Sequence, residues 1–277
     1  MKVHVIYNAY NEVDLVDRSL KTIYPYVDSI AIADVMHSDG KTVSDDGTHE
    51  KIMQFMKEHK DGNTKLFYRE PKELNSDYKR NQGIIKAQLM DMCKPSEGDW
   101  IWIVEADEFY HEDSLKQLKS RYILNHQALK HDRRWISVTM LNFAYDLHHC
   151  FFGWSGRFFR YKNGSGFEVC NKFMWGSEII YNDKYRWELP PQYMVCYHLK
   201  YVKPIDRLRQ RYQFPKNPAV VGKMEWFNNV YVRYLKDPEA AYRYNKEKLG
   251  NDGFDTGMSG KLFEYGGIYP KYLEDMI

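Results

Sequence analysis

The chain reads as an α/β protein: a mainly parallel central sheet with helices on both faces, followed by a helical C-terminal appendage. Three observations predict this. Over the first 110 residues, short apolar runs alternate with amphipathic stretches of helical length. One of those runs, Trp100 to Val104, is apolar at every position, as expected of a strand buried on both faces. That run ends abruptly in Glu105, Asp107 and Glu108, at the carboxyl edge where open α/β sheets bind ligands.

The elements follow in order. Val3 to Tyr7 is a strand, and Glu12 to Ile23 carries Val13, Val16, Leu20 and Ile23 at helical spacing. Ser29 to Ala33 is a second strand. Thr48 to Met56 is helical, with Ile52, Phe55 and Met56 on one side. Lys65 to Tyr68 is a third strand, and Ser76 to Met92 a long amphipathic helix with Ser76 as N-cap. After the fourth strand, Glu108, Glu112 and Asp113 read as a solvated lead into a helix near Ser114 to Lys119. The rhythm then changes. Trp135 to Leu141 is a strand. Gly156 to Tyr161 and Phe167 to Phe173 read as a hairpin around Asn163-Gly164-Ser165-Gly166. Tyr193 to Leu199 is a further strand, Lys223 to Leu235 and Pro238 to Leu249 are helices, and the Gly-rich stretch Asn251 to Pro270 is irregular. One catalytic domain over residues 1–215, with residues 216–277 packed on it, is the expected organisation.

Bulk properties narrow the function. With 277 residues and a net charge of only +2, nothing argues for a nucleic-acid partner. Between Lys200 and Lys216, six basic residues face one acid, Asp206. The four cysteines are widely spaced and carry no zinc signature, which fits a reduced, cytoplasmic chain. No leader pattern precedes the first strand, and no apolar run approaches the ~20 residues needed to span a bilayer. The many tyrosines (23) leave peripheral membrane contact open.

Several residues carry candidate chemistry. On an extended backbone Glu105 and Asp107 point the same way, and two converging carboxylates suit a hard divalent cation. Asn11, after the first strand, reads as a helix cap or a ligand contact. Asp34, where the second strand ends, reads either as part of an ordinary turn or as an acceptor of hydrogen bonds from a base or ribose. Lys79 and Arg80 open the third helix, where cations oppose the helix dipole; they read either as a solvated face or as an answer to a nearby anion. His198, at the end of an apolar strand, is either a buried structural imidazole or a ligand for a manganese-like ion. His148-His149 is a rival, although adjacent strand residues face opposite ways.

In order and spacing these residues resemble glycosyltransferase family 2. Ala9-Tyr10-Asn11-Glu12 is similar to its P-x-Y-N-E start, with Ala9 in place of Pro. Lys79-Arg80-Asn81-Gln82-Gly83 resembles its A-R-N-x-G helix start. Glu105-Ala106-Asp107 resembles its D-x-D motif, with Glu105 in place of the first Asp. His198 in Tyr197-His198-Leu199-Lys200-Tyr201 resembles its downstream Y-H-x-x-Y ligand. The likeness covers about the first 110 residues well and is patchy to about residue 215.

The resemblance implies a GT-A fold and a metal-dependent, inverting transfer of a sugar from a nucleotide sugar to an acceptor hydroxyl. A UDP-sugar is the leading donor; the acceptor is a glycan, lipid, protein or small molecule. It implies Mn²⁺ or Mg²⁺ on Asp107 and His198. Ala9, Asn11, Glu12, Asp34, Lys79, Arg80, Glu105 and Ala106 would hold the nucleotide sugar. Lys203, Arg207 and Arg211 would close over its phosphates, and Glu168 or Glu178 would act as base. Two other readings stand beside it: a sugar-phosphate nucleotidyltransferase, which would want a Gly-rich loop after the first strand, and a non-enzymatic carbohydrate- or lipid-binding module.

Overall fold

The computed structural model describes residues 1–120, 124–125, 132–169, 172–176, 178–179, 185–213, 227–249 and 262–276. The elements are β1 (Val3–Ala9), α1 (Val16–Ile23), β2 (Ser29–Asp34), α2 (Thr48–Glu58), β3 (Lys65–Tyr68), α3 (Tyr78–Cys93), β4 (Trp100–Glu105), β5 (Glu108–Tyr110) and α4 (Glu112–Ser120). They continue as β6 (Trp135–Ala144), β7 (His149–Arg160), β8 (Gly166–Val169), β9 (Lys172–Trp175), β10 (Glu178–Ile179), β11 (Arg186–Leu189) and β12 (Val195–Tyr201). After these come α5 (Ile205–Gln213), a π turn (Phe227–Tyr231) running into Val232–Tyr234, α6 (Pro238–Leu249), β13 (Phe263–Glu264) and a 3₁₀ segment (Lys271–Met276). The larger sheet has the order β3-β2-β1-β4-β7-β6-β12-β5, with β11 beside β6 and β13 beside β7; the smaller has the order β10-β9-β8.

The sheet is mixed, which corrects the expectation of a mainly parallel one. The β3-β2-β1-β4 half is parallel. β7 then joins β4 antiparallel, Trp102 opposite Phe158. Only four residues separate β6 from β7, too few for a parallel crossover. The chain therefore reverses there, and the returning arm docks on β4.

The chain divides into two compact units. The first comprises Met1–Thr139, Trp154–Cys196 and Tyr269–Asp275; the second comprises Met140–Gly153, Tyr197–Ile268 and Met276–Ile277. The expected domain boundary at 215/216 lies outside the described residues.

In the first unit, one face of the parallel strands packs under α3. Ile6, Ala31, Ile101 and Ile103 meet Ile85, Leu89 and Met90 there, with Phe159, Phe167 and Phe173 at the flank. The small side chains Ala31 and Ala33 on β2 let the helix approach. α3 also lies close to β8: a Cβ on Gly83 would collide with the Glu168 carbonyl, so only glycine fits. The helix starts one residue later than expected. Asp77, not Ser76, is the N-cap, and its carboxylate accepts the Lys79 and Arg80 N–H groups. An anionic cap offsets the two cations that follow it.

The expected hairpin does not form. β7 pairs with β4, while β8 pairs with β9 through Phe167 opposite Phe173. Phe158 stacks on Trp102 with centroids 5.0 Å apart, so β7 is committed to the larger sheet. The Asn163-Gly164 turn, with Gly164 at φ +82°, leads the chain into a different sheet.

The second unit has its own core of Ala144, Phe151, Tyr201, Leu208, Phe227, Val230 and Tyr231. The Tyr231 hydroxyl donates to the Tyr201 carbonyl at 2.7 Å and anchors the π turn. Among the described residues no helix is long and apolar enough to cross a membrane.

Candidate functional site

The carboxyl edge of the parallel strands is built by three chain turns. β4 ends at Glu105, Ala106 and Asp107 form a turn, and β5 starts at Glu108. The Ala106 N–H donates to the Asn8 carbonyl at 3.1 Å and fixes that turn to β1. The two-residue spacing of Glu105 and Asp107 is therefore not the alternation of an extended strand, as the sequence suggested. Their carboxylates converge because the chain bends, and ligand oxygens of the two lie within 4.8 Å. Glu105 is half-buried and Asp107 is buried.

Glu108 departs furthest from expectation. It is not a solvated lead into α4 but fully buried, and it pairs with buried Arg157 of β7. Burial pushes the Glu108 carboxyl up and Arg157 pulls it back. Arg157 stays cationic beside Glu108 and Glu105. The signal that could have revealed this pair is a lone Arg inside an aromatic strand, Trp154 to Phe159, because a buried Arg needs an anionic partner.

On β1, Asn8 lies beside Ala33 of β2 and Glu105 of β4 in parallel register, all on the α3 side. Asn8 is 6% exposed, and both polar atoms of its amide lack a hydrogen-bond partner. Buried amides are nearly always satisfied, so such an atom pair marks a place for water, an ion or a ligand group. His37, also on this side, takes a hydrogen bond on Nδ1 from the Gln82 amide at 2.9 Å. Burial lowers its pKa to about 4, and it is neutral.

On the other side, Asp34 is fully buried at the end of β2, next to Ala9 in register. It accepts from the Ser44 hydroxyl and lies 3.3 Å from His49 Nδ1. Burial raises its pKa against both contacts. Asn11, left-handed at φ +54°, donates its N–H to Ser44 Oγ at 2.8 Å and accepts the Asp45 N–H at 3.2 Å. The Glu12 N–H donates to Thr48 Oγ1 at 2.7 Å. The β1–α1 turn and the 44–48 loop are thus one stitched surface around Asp34. Ser44 and His49 were not singled out in the sequence, where no motif marks either residue.

The remaining candidates are spread out. Lys79 and Arg80 are exposed on the first turn of α3. Glu168 pairs with Lys172 at 3.0 Å on the three-stranded sheet, and Glu178 with Arg134 at 2.6 Å. Lys203 and Arg207 follow β12, Arg207 in the first turn of α5. Arg211 lies in α5 with its side chain outside the described residues.

His198, on β12, is 8% exposed, and its Nδ1 lies 2.8 Å from the Asn142 amide oxygen. With Nδ1–H donating there, Nε2 carries the lone pair, which is the tautomer a metal ligand needs. His149, of the rival pair, instead turns Nδ1 to Asp146 at 2.9 Å. Glu105 and Asp107 belong to the first unit and His198 to the second, and each carries a donor of the kind a divalent metal ion takes.

No family model matches the chain, and no curated protein does. Among solved structures it is similar to residues 1–349 of S. aureus TarS, at 14% identity and TM-score 0.34, over 58% of this chain and 47% of that one. A second S. aureus TarS structure gives 16% identity and TM-score 0.29 over 53% and 22%. A 4-diphosphocytidyl-2C-methyl-D-erythritol synthase gives 10% and 0.31 over 57% and 75%. The chain spans less than half the length of either TarS structure. At these TM-scores the likenesses carry no argument about activity.

Proposed function

We propose that the chain is a metal-dependent glycosyltransferase that moves a sugar from a nucleotide sugar to an acceptor hydroxyl with inversion, its catalytic domain lying within residues 1–215. The observation that carries this reading is the carboxyl edge itself. Glu105 and Asp107 converge there, beside an Asn8 amide whose buried polar atoms have no partner. The ordered resemblance of Asn11-Glu12, Lys79-Arg80-Asn81 and Glu105-Ala106-Asp107 to glycosyltransferase family 2 points the same way.

Mn²⁺ or Mg²⁺ would be held by Asp107 and His198 as principal ligands, with Glu105 beside Asp107. A divalent ion there would supply positive charge to a departing diphosphate. Lys203, Arg207 and Arg211 would bind the same phosphates. The stitched surface of Asn11, Glu12 and Asp34, with Ala9 at the strand end, would seat base and ribose. Lys79, Arg80 and Ala106 would flank the donor. A carboxylate, Glu168 or Glu178, would take the acceptor proton as the sugar transfers in line.

The test is a thermal-shift screen of UDP-, GDP- and CMP-sugars with and without Mn²⁺. Ligands that bind only the folded chain raise its melting temperature. A UDP-sugar is expected to raise it by several degrees, and only with Mn²⁺ present. Shifts that ignore Mn²⁺, or no shift with any nucleotide, would contradict the reading.

A further inference from the structure

Three carboxylates stand within four residues at the β4–β5 turn: Glu105, Asp107 and Glu108. Such a cluster repels itself unless something positive is fixed nearby. Arg157 is one such group, beside Glu108 and Glu105. The antiparallel register runs from Trp100 opposite Arg160 to Trp102 opposite Phe158, and Arg157 is the next residue of β7 beyond that ladder. It is 3% exposed and pairs with Glu108. Glu108 in turn grips both sides of the turn. Its Oε2 accepts the Tyr110 hydroxyl at 3.1 Å and faces the Glu105 N–H at 3.4 Å. Tyr110 is itself fixed edge-on to Trp102, with centroids 5.0 Å apart. One buried pair thus ties β4, the turn, β5 and β7 together at the turn that carries the two converging carboxylates.

Resting on the metal-site reading above, we infer that Arg157 and Glu108 are positioning residues of the cation site. Glu108 holds the acidic turn in shape, and Arg157 supplies the fixed positive charge that lets Glu105 and Asp107 face each other before a cation arrives. Neither residue is a ligand. A salt bridge that only stabilised the fold would behave differently. Breaking it from either side would loosen the turn and weaken metal binding in the same direction. In the positioning role the two halves act in opposite directions, because one removes a charge that favours the incoming ion and the other removes a charge that opposes it.

The test is titration of the full chain with Mn²⁺ alone at fixed pH, read by the EPR signal of the free ion, together with melting temperatures with and without Mn²⁺. Glu108→Gln leaves Arg157 without its counter-charge and is expected to raise the Mn²⁺ dissociation constant at least tenfold. Arg157→Met is expected to lower it at least threefold and to enlarge the melting shift that Mn²⁺ produces, since the ion takes over the missing charge. A variant that folds only with Mn²⁺ counts as the same result. The double variant is expected within about threefold of the unaltered chain. Single variants that shift the constant in one direction, or leave it unchanged, overturn the inference. Should Arg157→Met not fold at all, a double variant as weak as Glu108→Gln overturns it. If the unaltered chain binds no Mn²⁺, the metal-site reading falls and takes the inference with it. If the unaltered chain binds Mn²⁺, Asp107→Asn does not, and the pair variants are normal, only the inference falls.

Discussion

The two ends of β1 bury polar side chains to the same degree and treat them in opposite ways. At the amino end His4 is 4% exposed and fully engaged: Nδ1 lies 2.8 Å from Ser29 Oγ and Nε2 lies 3.2 Å from Asp99. Asp99 also accepts the Lys2 N–H at 2.7 Å and the Ser96 N–H at 2.9 Å. At the carboxyl end Asn8 is equally buried, and neither amide atom has a partner. His4 and Asn8 are four residues apart on one strand and face the same side. A satisfied buried network makes a rigid structural knot, whereas buried amide atoms without a partner, beside converging carboxylates, leave a place for water, an ion or a ligand group. The amino end ties the strands together, and the carboxyl end carries the residues that the proposed function uses.

That contrast can be broken, starting with its largest expected effect. Asp107→Asn should lower turnover roughly a thousandfold or more, about 4 kcal/mol of transition-state stabilisation. Its urea midpoint should barely move. Substantial residual turnover would take the carboxyl edge out of the chemistry. At the other end, Asp99→Ala should cost about 3 kcal/mol of stability, because it strands two N–H groups and a buried imidazole. Its Mn²⁺ affinity should match the unaltered chain; a loss there would mean that the two ends are coupled.

A pH titration of stability sharpens the comparison. Burial lowers the His4 pKa below 6.5 against the pull of Asp99 and Asp28, with Lys2 adding to the lowering. The folded chain thus keeps His4 neutral while the unfolded chain protonates it near pH 6.5. That contribution is fully present above this pH and is lost as pH falls toward the folded value, by at most about 1.4 kcal/mol per pH unit. Urea midpoints should drop between pH 7 and pH 5, and His4→Gln should flatten the drop. An equally steep profile in the variant would assign the acid sensitivity elsewhere. The smallest effect belongs to Asn8→Leu. Replacing an unsatisfied amide with an apolar group of similar size should leave stability unchanged or raise it by up to about 1 kcal/mol, while weakening Mn²⁺ binding several-fold. A clear loss of stability would mean that Asn8 belongs with the structural end.

The sequence exposed what is encoded locally. The run Lys65–Tyr68 is a strand over those same residues, and the helix begins at Thr48 behind a Gly47 cap at φ +97°. Asp107 and His198 stood out in the sequence by residue type, a carboxylate after one apolar strand and an imidazole in another, although His198 lies in the middle of β12 and not at its end. Partners distant along the chain were hidden. Glu108 looked solvated because Arg157, which buries it, lies 49 residues away. Asn142, which sets the His198 tautomer, lies 56 residues away. The hairpin was misread because Gly and Asn at 163–164 signal a turn but cannot say which strand the chain turns toward. The bend after Glu105 was invisible for a simpler reason: Glu-Ala-Asp carries no glycine or proline to announce it.

The central claim is that Glu105, Asp107 and His198 hold a cation that binds a nucleoside diphosphate. Isothermal titration of UDP into the full chain tests it most directly, with Mn²⁺ or with chelator present. One UDP bound per chain with Mn²⁺, none with chelator, and none in Asp107→Asn with Mn²⁺ is the expected result. UDP binding that persists in chelator, or in that variant, would contradict it.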